Sequence, residues 1–240
     1  MTYEPIKIHS VMLKLSGEAL AGSRGFGYDD EVIDTLTEEI IGLKRLGYSL
    51  AIVLGGGNIF RGGTWKNRSL NRVTLDEIGM LATVQNALYL SEILNAKNYP
   101  TEVFSSQKLD RICRHYSPRK ASLALAAGKI CFLSGGTGNP FFTTDTAAVL
   151  RAVELKLDLV LKGTNVDGLY SSDPRKDSKA KLISSASFDD CLEQKLGVMD
   201  MTAFALARDN SLPIKIFNVS KPGTLCEAVT SAGCGSYIHP

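Results

Sequence analysis

The chain has 240 residues, 44% hydrophobic and 22% charged, with a formal net charge of +2. That length suits one large α/β domain or two small ones, and the composition is that of an ordinary globular protein. The near-balanced charge gives no electrostatic reason to expect a nucleic acid or a membrane surface as partner. No apolar run approaches the roughly 18 residues of a spanning helix. Met1 to Ser10 lacks a basic stretch followed by a long apolar core, so no signal peptide is expected. The five cysteines, Cys113, Cys131, Cys191, Cys226 and Cys234, are scattered and form no C-x-x-C pair. They read as reduced thiols of a cytoplasmic protein rather than a disulfide framework or a zinc site. The three histidines, His9, His115 and His239, are too dispersed to suggest a metal cluster.

Taken in order, Val11 to Leu15 is a short apolar strand with Lys14 inside it, broken by Ser16-Gly17-Glu18. A lysine there is costly unless an anion meets it or it snorkels to the strand end. Gly22-Ser23-Arg24-Gly25-Phe26-Gly27 reads as a flexible loop. Asp29 caps an amphipathic helix marked by Val32, Ile33, Leu36, Ile40, Leu43 and Leu46. Ser49 to Leu54 is a second strand, followed at once by Gly55-Gly56-Gly57-Asn58 and Arg61. Successive glycines let backbone approach a ligand, and a guanidinium suits phosphate. Gly62 to Arg68, with the single tryptophan Trp65, reads as a mobile loop.

A long helix is expected from Asp76 to about Asn95, with Asp76 in its first turn, where an acid complements the helix dipole. Strands follow at Thr101–Phe104 and Ile130–Leu133, with a helix from Pro118 to Gly128 between them. Next comes the densest polar cluster in the chain, Ser134 to Asp145, a glycine-rich turn between a strand end and a helix over Ala147–Leu155. Such a junction offers free backbone N–H groups and a helix dipole to an anion. Each residue alone is an ordinary turn or cap former, but a mere turn does not need this many polar groups. Leu157 to Lys162 is another apolar run, ending in Gly163-Thr164-Asn165 and a tight turn at Asp167-Gly168. Helices are expected at Ser187–Leu196, Asp200–Asp209 (with Asp200 as N-cap) and Gly223–Ser231. Pro213–Phe217 is a strand, and Tyr237-Ile238 is expected to add an edge strand.

This alternation predicts an α/β fold with an open, mostly parallel central sheet sandwiched by helices. It is read as a single domain over 1–240, with a soft division near Asn139. Ligands of such sheets bind beyond the carboxyl ends of the strands. Two lysines, an arginine and several glycine turns meet there, which suits a polyphosphate. The chain has no G-x-x-x-x-G-K-[ST], no G-x-G-x-x-G after the first strand and no G-x-S-x-G. P-loop transfer, dinucleotide dehydrogenation and the usual hydrolase elbow are therefore disfavoured. Phosphoryl transfer, which needs mainly positioning and charge neutralisation, fits the inventory.

Several blocks closely resemble the bacterial uridylate kinases of the amino acid kinase family. They are Leu13-Lys14-Leu15-Ser16-Gly17-Glu18-Ala19-Leu20, Gly55 to Gly62, Gly136 to Asp145, Lys162 to Tyr170 and Val198-Met199-Asp200. The resemblance implies the amino acid kinase fold and transfer of the ATP γ-phosphate to UMP, with Mg²⁺. It implies ATP contacts from Lys14, Leu15, Ser16, Gly17, Gly57, Arg61, Thr164, Asn165, Tyr170 and Asp173. For UMP it implies Gly56, Asp76, Thr137, Gly138, Asn139, Pro140, Phe141, Phe142, Thr143 and Thr144. Lys14, Lys162 and Arg61 would act on the transferring phosphoryl, Asp145 would orient the lysines, and Asp200 would support the metal or the lysine network. No protein-only metal site is expected. A homohexamer, GTP activation through Gly22, Ser23, Arg24, Gly25, Phe26 and Gly27, and inhibition by UTP are implied as well. The Gly63–Ser69 segment departs from the small, alanine-rich stretch expected after the arginine. Two other readings remain: a relative acting on a carboxylate, carbamate or isopentenyl phosphate, and a non-catalytic nucleotide-binding regulator.

Overall fold

The computed structural model describes residues 8–61 and 69–240. The Trp65 loop, Gly62 and the first seven residues lie outside the described residues. The strands are β1 (Ser10–Leu15), β2 (Ser49–Leu54), β3 (Thr101–Ser105), β4 (Arg114–His115), β5 (Ile130–Ser134) and β6 (Leu159–Thr164). They continue with β7 (Leu169–Tyr170), β8 (Leu182–Ile183), β9 (Ser185–Ser187), β10 (Ile214–Asn218) and β11 (Ser236–His239). The helices are α1 (Glu18–Ala21), α2 (Asp30–Arg45), α3 (Arg72–Ala96), α4 (Pro118–Ala126) and α5 (Thr144–Glu154). After them come α6 (Phe188–Glu193), α7 (Met201–Asp209) and α8 (Thr224–Thr230).

One nine-stranded sheet runs β4-β3-β5-β2-β1-β6-β10-β11-β9, and β7 and β8 form a separate antiparallel pair. Every pairing in the large sheet is parallel except β10 with β11. The strand order turns at β1: β2, β5, β3 and β4 lie to one side, and β6, β10, β11 and β9 to the other. A crevice opens beyond the carboxyl ends of the strands at such a switch point.

The parallel strands are buried on both faces, so they read as continuous apolar runs rather than an alternation. Along β1, Val11, Leu13 and Leu15 pack with α2, α3 and α8 through Ile40, Leu90 and Leu225. Met12 faces the other way, toward α4, α5, α6 and α7, with Ala121, Ala148, Phe188 and Phe204. The period of two therefore puts Lys14, two residues after Met12, on the α5 side. Val160 faces the same side and carries Lys162 with it. Lys14 and Lys162 are direct register partners across β1 and β6.

Four details differ from the sequence expectation. α3 starts at Arg72 with Asn71 as its cap, so Asp76 sits in the second turn. The Gly22–Gly27 stretch is not open loop throughout, because Gly22–Arg24 form a 3-10 turn. Tyr237 and Ile238 lie one strand in from the edge, since the short β9 pairs outside β11. α6 spans Phe188–Glu193, held by a capping box between Ser187 and Asp190.

Candidate active site

Asp145 lies in the first turn of α5, whose N-cap Thr143 accepts from Asp145 N and Thr146 N. That helix lies on the sheet face from which Lys14 and Lys162 project. Lys14 Nζ stands 2.6 Å from Asp145 Oδ1, and Lys162 Nζ donates to Asp145 Oδ2. All three are buried, with 6–8% exposure. Two ammonium groups in such a place are costly without a counter-charge. Burial opposes the charge on Asp145, yet Lys14 and Lys162 hold its carboxyl below the usual carboxylate range. Burial outweighs the attraction of Asp145 at Lys162 and lowers that ammonium to about 8, with the Lys14 charge adding to the effect. The net +1 of this cluster is suited to an anion at the carboxyl end of the sheet.

Asp200 supports the same helix from outside. It caps α7 through Ala203 N (2.9 Å) and accepts from the hydroxyls of Thr143 and Thr146 (2.9 Å from the latter). Asp200 therefore meets the lysine cluster through the first turn of α5.

Two cavities flank the cluster. One, of about 490 Å³, is lined by Lys14, Ser16, Lys162, Thr164, Asn165, Tyr170 and Asp173, all singled out from sequence. It also takes in Glu18, Arg175 and the 194–198 turn, which sequence reasoning did not assign. The second, of about 180 Å³, is lined by Gly56, Gly57, Asp76, Phe142, Thr143 and Thr144. Phe60, Met80, Thr83 and Gly136 join it. The structure thus puts Gly57 in the smaller cavity. A concavity of about 700 Å³ near Glu102, Arg111 and Lys129 shares no residue with either.

The remaining sequence candidates surround these cavities. Leu15 has its side chain fully buried in the core, and its carbonyl accepts from Gly55 N at 2.8 Å. Gly17 packs so tightly that a Cβ would stand 2.6 Å from Gly57 N. At Gly56 a Cβ would meet Gly79 O at 2.8 Å. These two glycines permit the turns after β1 and β2 to close on each other and on α3. Arg61 donates to Gly57 O at 3.2 Å and pairs with Glu18 at 2.9 Å. Asp76 accepts from Arg72 Nε at 2.7 Å and Phe141 N at 2.8 Å, which ties the 137–142 turn to α3. Thr137, Gly138, Asn139, Pro140 and Phe141 form that turn beside the smaller cavity, with Phe141 exposed at a φ of 71°.

Arg151 escaped the sequence reading. It is buried on α5, donates to the carbonyls of Gly136 (3.5 Å) and Thr137 (3.3 Å), and pairs with Glu154 at 2.8 Å. Its guanidinium lies 4.1 Å from the centre of the Tyr116 ring. The signal was an arginine on an otherwise apolar helix face.

A lysine pair held by one aspartate between two cavities, at the switch point of the sheet, suits anionic ligands at the carboxyl ends of its strands. Residues 10–218 match the amino acid kinase family. The chain belongs to the amino acid kinase family. It is 46% identical over 229 residues to the uridylate kinase of Stutzerimonas stutzeri, covering 95% of this chain and 93% of that one. It is 47% identical over 228 residues to the uridylate kinase of Photorhabdus laumondii, with 95% and 94% covered. The UMP kinase of Bacillus anthracis superposes with a TM-score of 0.93 at 36% identity, with 96% of each chain covered. Among amino acid kinases the chain therefore falls with the uridylate kinases.

Proposed function

We propose that the protein transfers the γ-phosphoryl group of ATP to UMP, giving UDP and ADP. The observation that carries this reading is the Lys14–Asp145–Lys162 cluster between the two cavities. The larger cavity takes ATP, with its triphosphate toward Lys14, Ser16 and Gly17 and its nucleoside among Thr164, Asn165, Tyr170 and Asp173. The smaller one takes the phosphate of UMP against Gly56, Gly57, Thr143 and Thr144, with the rest of the nucleotide along Asp76 and residues 137–142. For Asp76 to accept a ribose hydroxyl, it uses lone pairs left beside, or exchanged from, Arg72 and Phe141 N. The UMP phosphate is already anionic at neutral pH, so its oxygen attacks the γ-phosphorus without a general base. A bond forms to that oxygen as the bond to the β-bridging oxygen breaks, and ADP leaves. Lys14 and Lys162 swing partly from Asp145 onto the oxygens of the moving group, and Arg61 adds charge from the Gly57 side. Such groups work by charge stabilisation and alignment.

The residues fit Mg²⁺ carried by the nucleotide. Both Asp145 oxygens face lysines and both Asp200 oxygens face hydroxyls, and the described residues hold no cluster of three metal-ligating side chains. Mg²⁺ commonly binds through phosphates, water and one or two carboxylates. Asp145 and Asp200 are the carboxylates at hand, and the ion would neutralise phosphate charge. The single-domain reading goes with the continuous sheet, which joins a UMP-binding part on the β2 side to an ATP-binding part on the β6 side.

A homohexamer with GTP activation and UTP inhibition completes the proposal. Exposed Val73, Ile78 and Leu81 on α3, with Leu70 before it, support association. Gly22–Gly27, with Phe26 69% exposed, is the GTP-responsive loop in this reading. The described residues include no helix long and apolar enough to cross a membrane, and all five thiols are free, which supports a cytoplasmic place. The test is ADP formation from ATP·Mg²⁺ with UMP, CMP, dTMP, acetylglutamate or no acceptor, with and without GTP. Turnover confined to UMP is expected. Turnover with the acid instead would move the substrate elsewhere in the family, and ATP binding without turnover would favour a regulator.

A further inference from the structure

Asn58 and Asn86 are fully buried, and neither lines a cavity described above. Asn58 follows the glycine turn after β2, and Asn86 lies midway along α3. Asn58 Nδ2 donates to Asn86 Oδ1 at 3.1 Å, and Asn86 Nδ2 donates back to Asn58 Oδ1 at 2.7 Å. The second hydrogen of each amide goes to a backbone carbonyl: Asn58 to Gly27 O (2.9 Å) and Asn86 to Gly55 O (2.7 Å). The backbone carbonyl of Asn58 accepts from Gly27 N at 2.8 Å. All four amide hydrogens are thus used, and turning either amide over would set donor against donor and acceptor against acceptor. The first turn rests on the same pair, because a Cβ on Gly17 would stand 2.5 Å from Asn58 Oδ1.

Four segments meet on this pair: the turns after β1 and β2, the 22–27 loop and α3. Among them, Gly27 is tied to the phosphate turn by both its N–H and its carbonyl. Buried polar pairs with every hydrogen satisfied admit few alternative arrangements, so a shift on one side is passed to the other.

We propose that Asn58 and Asn86 are positioning residues that couple the Gly55–Gly57 phosphate turn to the Gly22–Gly27 loop. Occupation of the turn by phosphate orders the loop, and displacement of the loop misaligns the turn. This rests on the phosphoryl-transfer reading.

The test is amide hydrogen exchange across residues 20–29 of the wild-type protein, with and without UMP, whose phosphate is the one placed against Gly56 and Gly57, with binding followed by calorimetry. Exchange at Gly27 is expected to slow at least about fivefold on binding. In Asn86→Leu, of similar volume, UMP still binds but the slowing disappears, and kcat falls more than KM changes. If that variant does not fold, Asn58→Ser, which keeps a small polar group, takes its place, and the wild-type comparison stands by itself. Unchanged exchange with UMP bound overturns the coupling alone. Full slowing and full kcat in the variant also overturn it. Failure of the wild type to bind UMP overturns the phosphoryl-transfer reading, and the coupling with it.

Discussion

Lys162 shows how one burial decides both charge and reactivity. Its ammonium is pulled down to about 8, chiefly by burial, although Asp145 touches it. The free enzyme therefore loses that charge above pH 8. The account predicts that kcat/KM for ATP falls with an apparent pKa near 8, read from a pH–rate profile. The kcat profile should break at higher pH, because bound phosphates favour the charged form. Stability has the opposite slope from this group. From about 8 up to the unfolded value near 10.4, the unfolded chain holds a proton that the folded chain has released, so folding is favoured as pH rises. Asp145 contributes in the usual carboxylate sense: its stabilisation is present above the unfolded pKa and fades as pH falls through the depressed folded one. In the sequence, Lys14 and Lys162 were legible because charge inside an apolar strand is anomalous. Arg151 left only the weaker signal of a charge on an apolar helix face, because the turn carbonyls it holds lie 14 and 15 residues away and its pairing with Glu154 is an ordinary i,i+3 contact. Asn58 was not legible, because its partners Gly27 and Asn86 come from separate elements.

At the scale of elements, α5 and α7 are set by their caps. Asp200 serves as the α7 cap and as acceptor for the two threonine hydroxyls at the start of α5. Asp200→Ala removes both functions and is expected to lower unfolding free energy by about 1–2 kcal/mol, measured by denaturant titration. Asp200→Asn keeps a cap-forming side chain and should stay within about 0.5 kcal/mol of wild type. Its kcat should nevertheless fall, since the negative charge near Lys162 is gone. An Asn variant with unchanged kcat would reduce Asp200 to a helix cap. The long strands and amphipathic helices were readable from periodicity alone. The start of α3 was not, because Asn71 rather than an acid at Asp76 caps it, and the pairs β3–β4 and β11–β9 depend on short segments with no apolar run.

For the whole molecule, the decisive feature is topology. β1 brings Lys14 to the centre, β6 returns from the far side of the chain with Lys162 in register, and α5 lays Asp145 over both. Sequence spacing predicted an open parallel sheet with ligands at its carboxyl ends, and motif resemblance predicted the substrates. It could not predict that the nucleotide turns share a buried amide pair, because tertiary packing decides that.

The most direct test compares steady-state transfer from ATP to UMP in wild type, Lys14→Ala and Asp145→Asn, with Tm measured on each. Removal of a single charge-stabilising group costs on the order of 10²–10³ in kcat. Both variants are expected to lose at least about 10² in kcat while remaining folded. Asp145→Asn leaves two lysines together, but Lys162, already at about 8, can shed its proton and limit the damage to folding. A folded variant of either kind with near-normal kcat would contradict the account.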